Sequence, residues 1–143
     1  MTIEQAIEVA LKAHAGQVDK AGQPYILHPL RVMMTVESAS LASARVVAML
    51  HDVIEDSEWT VEGLASAYGL TPDEQAALRL LTHDDGEAYA AYVENVAANP
   101  LARAVKVADL RDNLDVTRLP EVTEKDAKRI AKYVASLRRL TRG

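Results

Sequence analysis

Eight consecutive residues, Met49, Leu50, His51, Asp52, Val53, Ile54, Glu55 and Asp56, set one imidazole and three carboxylates beside some of the most apolar sequence in the chain. Imidazole nitrogens and carboxylate oxygens are ligands for divalent cations, and a carboxylate one turn away can hold or deprotonate a water. At 3.6 residues per turn, His51, Asp52, Glu55 and Asp56 fall at about 0°, 100°, 40° and 140°, so one helix running to Asp56 is expected to carry all four on one face. Val46, Val47, Leu50, Val53 and Ile54 cover much of the rest of that helix. Unpaired burial of carboxylates is costly, so a cation or strong donors should sit beside them.

Two further pieces carry related chemistry. His28 stands directly before Pro29, at a helix entrance from which an imidazole can point away from its own helix. Asp109, Asp112 and Asn113 gather on one face of another apolar helix, with Lys106 one turn earlier. His28, His51, Asp52 and Asp109 together make a mixed nitrogen and oxygen set suited to Mn²⁺, Fe²⁺ or Zn²⁺ and not to a Ca²⁺ cage. They lie far apart in the chain, and spacing alone does not pair them. Of the other histidines, His14 lies on the apolar face of the first helix and reads as a core histidine bonded to backbone. His83, followed by Asp84, Asp85 and Gly86, reads as a turn.

The elements that must position these groups are helical. Eight helices are predicted. Thr2 and Gln5 form a capping box for the first, which Gly16 ends. The second starts at Pro29, and Ser40 or Ser43 caps the third, which runs to about Asp56. A short fourth helix starts at Trp59-Thr60 and stops at Gly69, the residue type suited to a left-handed C-cap. Thr71, Pro72 and Glu74 open the fifth as cap, first-turn proline and capping-box glutamate. The sixth spans Glu87 to Ala98, the seventh follows Asn99-Pro100, and Thr123 caps the last, Glu124 to Leu140. The Lys and Arg of that last helix read as a solvated face.

Composition agrees with an all-α fold. The 143 residues include no Phe and one Trp, and the apolar mass is Ala, Leu and Val. The length suits one domain over residues 1–143. A net charge of −5 without a basic stripe argues against nucleic-acid binding, and the absence of cysteine excludes disulfides and thiolate-held metal. No apolar run approaches a membrane span and the N-terminus lacks a signal-peptide pattern, so a soluble, cytoplasmic location is expected.

Four ordered motifs resemble those of a known family. They are His14-Ala15-Gly16-Gln17, Gly22 to Pro29, Leu50 to Asp56, and Lys106 to Asn113. The chain resembles the HD superfamily of metal-dependent phosphohydrolases, named for a doublet seen here as His51-Asp52. More closely, it resembles the RelA/SpoT hydrolase domain and the small stand-alone alarmone hydrolases. The resemblance covers roughly residues 3–118. It implies a single HD-domain helical bundle of seven or eight helices, with His28, His51, Asp52 and Asp109 holding one divalent metal, typically Mn²⁺. Glu55 and Asp56 match the catalytic acidic pair beside the metal water. Lys20 matches a basic residue of the substrate loop, and Asn113 a residue near the ribose. The implied reaction is hydrolysis of guanosine tetra- or pentaphosphate to GDP or GTP plus pyrophosphate.

Lys20, Arg31, Arg103 and Lys106 are all available to neutralise the pyrophosphate. The pattern departs from the family at two positions. Asp19 stands where many relatives place an arginine that stacks on guanine, and Asp115 where a second basic residue often follows. Hydrolysis of another nucleotide (a different 3′-pyrophosphate or NADPH) is therefore an alternative, as is a nucleotide-binding module without turnover.

Overall fold

The computed structural model describes residues 1–142 and is all-α. In chain order the helices are α1 (Ile3–Ala13), α2 (Leu27–Thr35), α3 (Leu41–Leu50), α4 (Val53–Asp56) and α5 (Val61–Tyr68). They continue as α6 (Pro72–Leu81), α7 (Tyr89–Ala97), α8 (Pro100–Asn113) and α9 (Glu124–Thr141). A 3₁₀ turn at Val116–Arg118 joins the last two. Among the described residues the only β pairing is an isolated antiparallel bridge between Val18 and Pro24. No described helix is long and apolar enough to cross a membrane.

Two helices organise the rest. α3 packs against α1, α2, α6 and α8, and α8 packs against α2, α3, α6, α7 and α9. The reason for the central place of α3 is its composition: from Val46 to Leu50 every residue is buried. A helix apolar on nearly all sides has no face to give to water and is driven to the middle of the bundle. α8 is mixed, burying Ala102, Val105, Ala108 and Leu110 while Asp109 is buried among them.

The local signals act as expected at most helix ends. Thr2 with Gln5 and Thr71 with Glu74 form reciprocal capping boxes, and Thr123 with Asp126 forms a third. Gly69 closes α5 at φ 74°, ψ 44°, where a side chain would be strained. α1 ends at Ala13, three residues before Gly16, which takes a positive φ in the turn that follows.

The main departure lies at the acidic stretch itself. The expected single helix to Asp56 is two, because α3 stops at Leu50 and α4 begins at Val53. His51 turns its ring back so that Nδ1 donates to the carbonyl of Ala48 at 2.5 Å. That carbonyl is the acceptor the Asp52 amide would use if the helix ran on. Asp52 sits at φ −105°, ψ −5°, outside the helical centre, and the ladder resumes with the Asp56 amide donating to the Asp52 carbonyl. Among the described residues this break turns the eight predicted helices into nine.

Leu50 is fully buried at the end of α3. Leu50→Ala is expected to lower stability by about 2–5 kcal/mol through lost burial and the cavity left behind. Urea unfolding checks this, and a loss below about 1 kcal/mol would show that the α3 terminus is not part of the packed core.

Candidate metal centre and active site

The break between α3 and α4 aims two neighbouring side chains into one space. His51 is buried, with Nε2 lying 3.0 Å from Asp52 Oδ2. From the start of α2 comes His28, whose Nε2 lies 3.7 Å from the same oxygen. From the middle of α8 comes Asp109, with Oδ1 at 3.0 Å from His28 Nε2 and 3.5 Å from His51 Nε2. The structure thus brings together the four residues that the resemblance grouped. Ligand atoms of His28, His51 and Asp52 lie within 4.8 Å of one another, a group that can hold a metal ion.

The hydrogen bonds decide which nitrogens face this space. The Ala48 carbonyl can only accept, so His51 Nδ1 carries the proton. His28 Nδ1 contacts Asp112 Oδ2 at 2.7 Å, and an ionised carboxylate likewise only accepts. In both neutral rings the Nε2 lone pair then points toward carboxylate oxygens. His51 Nε2 is buried with no hydrogen-bond partner. Lone pairs facing lone pairs repel unless a proton or a cation sits between them. Accordingly, burial works against charge on both imidazoles, yet the carboxylates outweigh it and drive both above their ordinary range. Burial would likewise raise Asp52, but the adjacent His51 holds it down at about 2. The donor set therefore fits a divalent cation, and the bonds to the Ala48 carbonyl and Asp112 already orient the two imidazoles.

Several residues support the cluster. Tyr25 donates its hydroxyl to Asp52 Oδ2 at 2.6 Å. Lys106 pairs with Asp109 Oδ2 at 2.8 Å and the Asn113 amide donates to Oδ1 at 3.0 Å. Burial opposes the charge on Lys106, but the Asp109 carboxylate prevails and raises its ammonium above the ordinary range. Asp112, which carried no assigned role in the sequence, binds His28 and receives Arg31 Nε and Nη2 at 2.7 and 3.1 Å.

The two acidic residues of α4 diverge. Glu55 is exposed at the rim of a cavity of about 150 Å³ that also includes His51, Asp52, Asp109, Lys106, Leu81, His83, Tyr89, Tyr92 and Lys132. Its carboxylate accepts the His83 amide at 2.9 Å, and partial burial with the nearby Asp52 and Asp56 charges raises it above the usual carboxylate range. Asp56 is not among the residues lining that cavity. It accepts the Gln17 amide at 3.1 Å, and Gln17 in turn accepts from His14 Nδ1 at 2.9 Å. The acidic pair expected on a common face therefore divides, the two neighbours on α4 meeting different partners. His14 is a buried histidine, as expected, but its bond is to the Gln17 side chain and not to backbone.

A larger cavity of about 440 Å³ opens on the other side of His28. Its walls include Lys20, Tyr25, Arg31, Asn113, Arg118, Arg129 and Tyr133, together with Asp19, Asp112 and Asp115. Lys20 and Asn113 thus reach one space, with both departing aspartates. Asp19 Oδ1 accepts the Ala21 and Gln23 amides at 2.9 Å, which folds the loop that presents Lys20. Asp115 caps the 3₁₀ turn and pairs with Arg118 at 3.0 Å. The basic face of α9 is only partly given to solvent, since Arg129 and Tyr133 reach this cavity and Lys132 the smaller one. His83, read as a turn residue, also serves Glu55 through its backbone amide. Sequence offered no signal for either contact.

No family model matches the chain. Over 145 residues it is 33% identical to a GTP pyrophosphokinase of Streptomyces coelicolor, covering 94% of this chain and 17% of that protein. Over 142 residues it is 28% identical to a guanosine-3′,5′-bis(diphosphate) 3′-pyrophosphohydrolase of Aquifex aeolicus, covering 91% of this chain and 19% of the other. The chain thus spans under a fifth of the length of these curated relatives. A solved structure, of a metazoan ortholog of SpoT that hydrolyzes ppGpp and plays a role in starvation responses, superimposes with a TM-score of 0.76 at 23% identity. It covers 99% of this chain and 85% of that one. The fold is shared with that protein, and the sequence resembles the alarmone enzymes over nearly its whole length.

Asp112→Asn is expected to weaken Mn²⁺ binding by about 10- to 100-fold, because the carboxylate that orients His28 is lost. Calorimetric titration with Mn²⁺ reads this, and an unchanged affinity would remove Asp112 from the support of the site.

Proposed function

We propose that the chain is a divalent-metal-dependent hydrolase that converts guanosine tetra- or pentaphosphate and water to GDP or GTP and pyrophosphate. The observation that carries this reading is the convergence of two Nε2 atoms, Asp52 and Asp109 on one buried space, with the Glu55 carboxylate at the rim of the same cavity. His28, His51, Asp52 and Asp109 would hold the metal, and Mn²⁺ suits this mixed set of nitrogen and oxygen donors. The relatives carry names for both synthesis and hydrolysis of the alarmone. A metal-ligand set beside a carboxylate that can take a water proton favours hydrolysis.

A bound divalent cation lowers the pKa of a coordinated water and offsets charge on the attacked phosphoryl group. The protein's own groups do the rest. Glu55, held by the His83 amide and raised in pKa, is suited to accept the proton of the attacking water and pass it toward the departing 3′-oxygen. The new bond joins the water oxygen to phosphorus, and the phosphorus–O3′ bond breaks. Asp56, which accepts from Gln17, would act indirectly through the hydrogen bonds linking Gln17 and His14.

The nucleoside and its 5′-diphosphate would occupy the 440 Å³ cavity. Arg31, Arg118 and Arg129 are paired with Asp112, Asp115 and Asp126. Lys20 has no carboxylate within ion-pair distance among the described residues, and is the cation left to meet a diphosphate. Asn113, which lines this cavity and donates to Asp109, would meet the ribose.

Mn²⁺-loaded protein is expected to release pyrophosphate from guanosine tetraphosphate. Glu55→Gln should lower kcat by about 100-fold or more while leaving Mn²⁺ stoichiometry intact. Absence of turnover in the wild type across divalent metals would overturn the reading.

A further inference from the structure

We propose that the 150 Å³ cavity behind the metal-ligand cluster is a separate diphosphate subsite whose phosphate-binding cation is Lys132. The inference deepens the hydrolase reading and rests on it for the identity of the ligand. The two cavities share no lining residue, and the ligand cluster stands at their boundary, with His28 on one side and His51, Asp52 and Asp109 on the other. A nucleotide bound in the larger cavity with its scissile phosphorus at the cluster would direct the far phosphate into the smaller one.

The smaller cavity has two cations with different commitments. Lys106 is spent on Asp109, a proposed ligand, and its charge balances that carboxylate. Lys132 has no carboxylate within ion-pair distance among the described residues. Its Nζ lies 3.7 Å from the centre of the Tyr89 ring, a cation–π contact that holds the ammonium against the cavity wall. The Tyr89 ring is itself fixed, stacking on Tyr92 with centroids 5.6 Å apart and planes 12° from parallel. Tyr92 is anchored in turn by its hydroxyl, which donates to the Leu81 carbonyl at 2.9 Å. The Tyr89 hydroxyl is buried without a hydrogen-bond partner, a second donor whose bond is still to be made.

The geometry therefore supplies what an anionic terminal phosphate needs: a preorganised ammonium and an unused hydroxyl, next to metal ligands. Glu55 shares the cavity, which keeps the site selective for a phosphate that arrives with a divalent cation. In this arrangement each diphosphate of the substrate meets its own uncommitted lysine, Lys20 at the 5′ end and Lys132 at the 3′ end.

Calorimetric titration of inorganic pyrophosphate and of GDP, in matched solutions of excess Mn²⁺, tests this on wild type, Lys132→Ala and Lys132→Arg. Lys132→Ala is expected to weaken pyrophosphate binding by about 10-fold or more, the size of a lost charge-assisted hydrogen bond. GDP affinity should stay within about twofold, and Lys132→Arg should recover most of the pyrophosphate affinity. Lys132 is exposed, so the thermal midpoint should not move. Unchanged pyrophosphate affinity in Lys132→Ala, or an equal loss for GDP, would overturn the subsite. Lys132-dependent pyrophosphate binding without tetraphosphate hydrolysis by the wild type would keep the subsite and remove the hydrolase reading.

Discussion

Four acceptor atoms point at one another inside a helical core, and the surrounding structure is arranged to keep them there. Each imidazole has its Nδ1 proton committed, His51 to the Ala48 carbonyl and His28 to Asp112, so both Nε2 lone pairs face inward. The carboxylates of Asp52 and Asp109 face the same space. Without positive charge between them this is a costly arrangement in a poorly solvated site. In the proposed reading a divalent cation would satisfy all four at once. The break after Leu50, the entry of α2 at His28 and the burial of Asp109 on α8 each serve that convergence.

Most of the fold was legible in the chain because its signals are local. Capping residues at Thr2, Thr71 and Thr123, the prolines that follow Thr71 and Asn99 and the left-handed Gly69 each act within a few residues of where they stand. The failure at residues 49–56 has the opposite character. Periodicity from Leu41 to Asp56 reads as one helix, and only the His51 side chain turning back onto Ala48 interrupts it. That bond depends on the ring being needed elsewhere, which is a tertiary demand. The consequence for the site is direct, since the break turns His51 and Asp52 off the line of α3 and puts Glu55 and Asp56 on a separate short helix.

For the site, His51 and Asp52 stood out as charged residues in an apolar run, whereas their pairing with His28 and Asp109 rested on resemblance. Asp112 was visible as a neighbour of Asp109, but nothing in its spacing reveals that it orients a histidine 84 positions earlier. Lys132 was hidden for a different reason. It stands mid-helix in a run of Lys and Arg, and basic residues in such a run are ordinarily solvated. Only the packing of α9 against α7 and α8 shows that Lys132 leans over Tyr89 beside the ligands.

If the four converging acceptors hold one divalent cation, anomalous diffraction at the manganese edge, from crystals grown with Mn²⁺, will show it without reference to any activity. One strong peak is expected within about 2.0–2.4 Å of His28 Nε2, His51 Nε2 and one carboxylate oxygen each of Asp52 and Asp109. A map with no peak between these atoms at saturating Mn²⁺, or with the ion held by other residues, would contradict it.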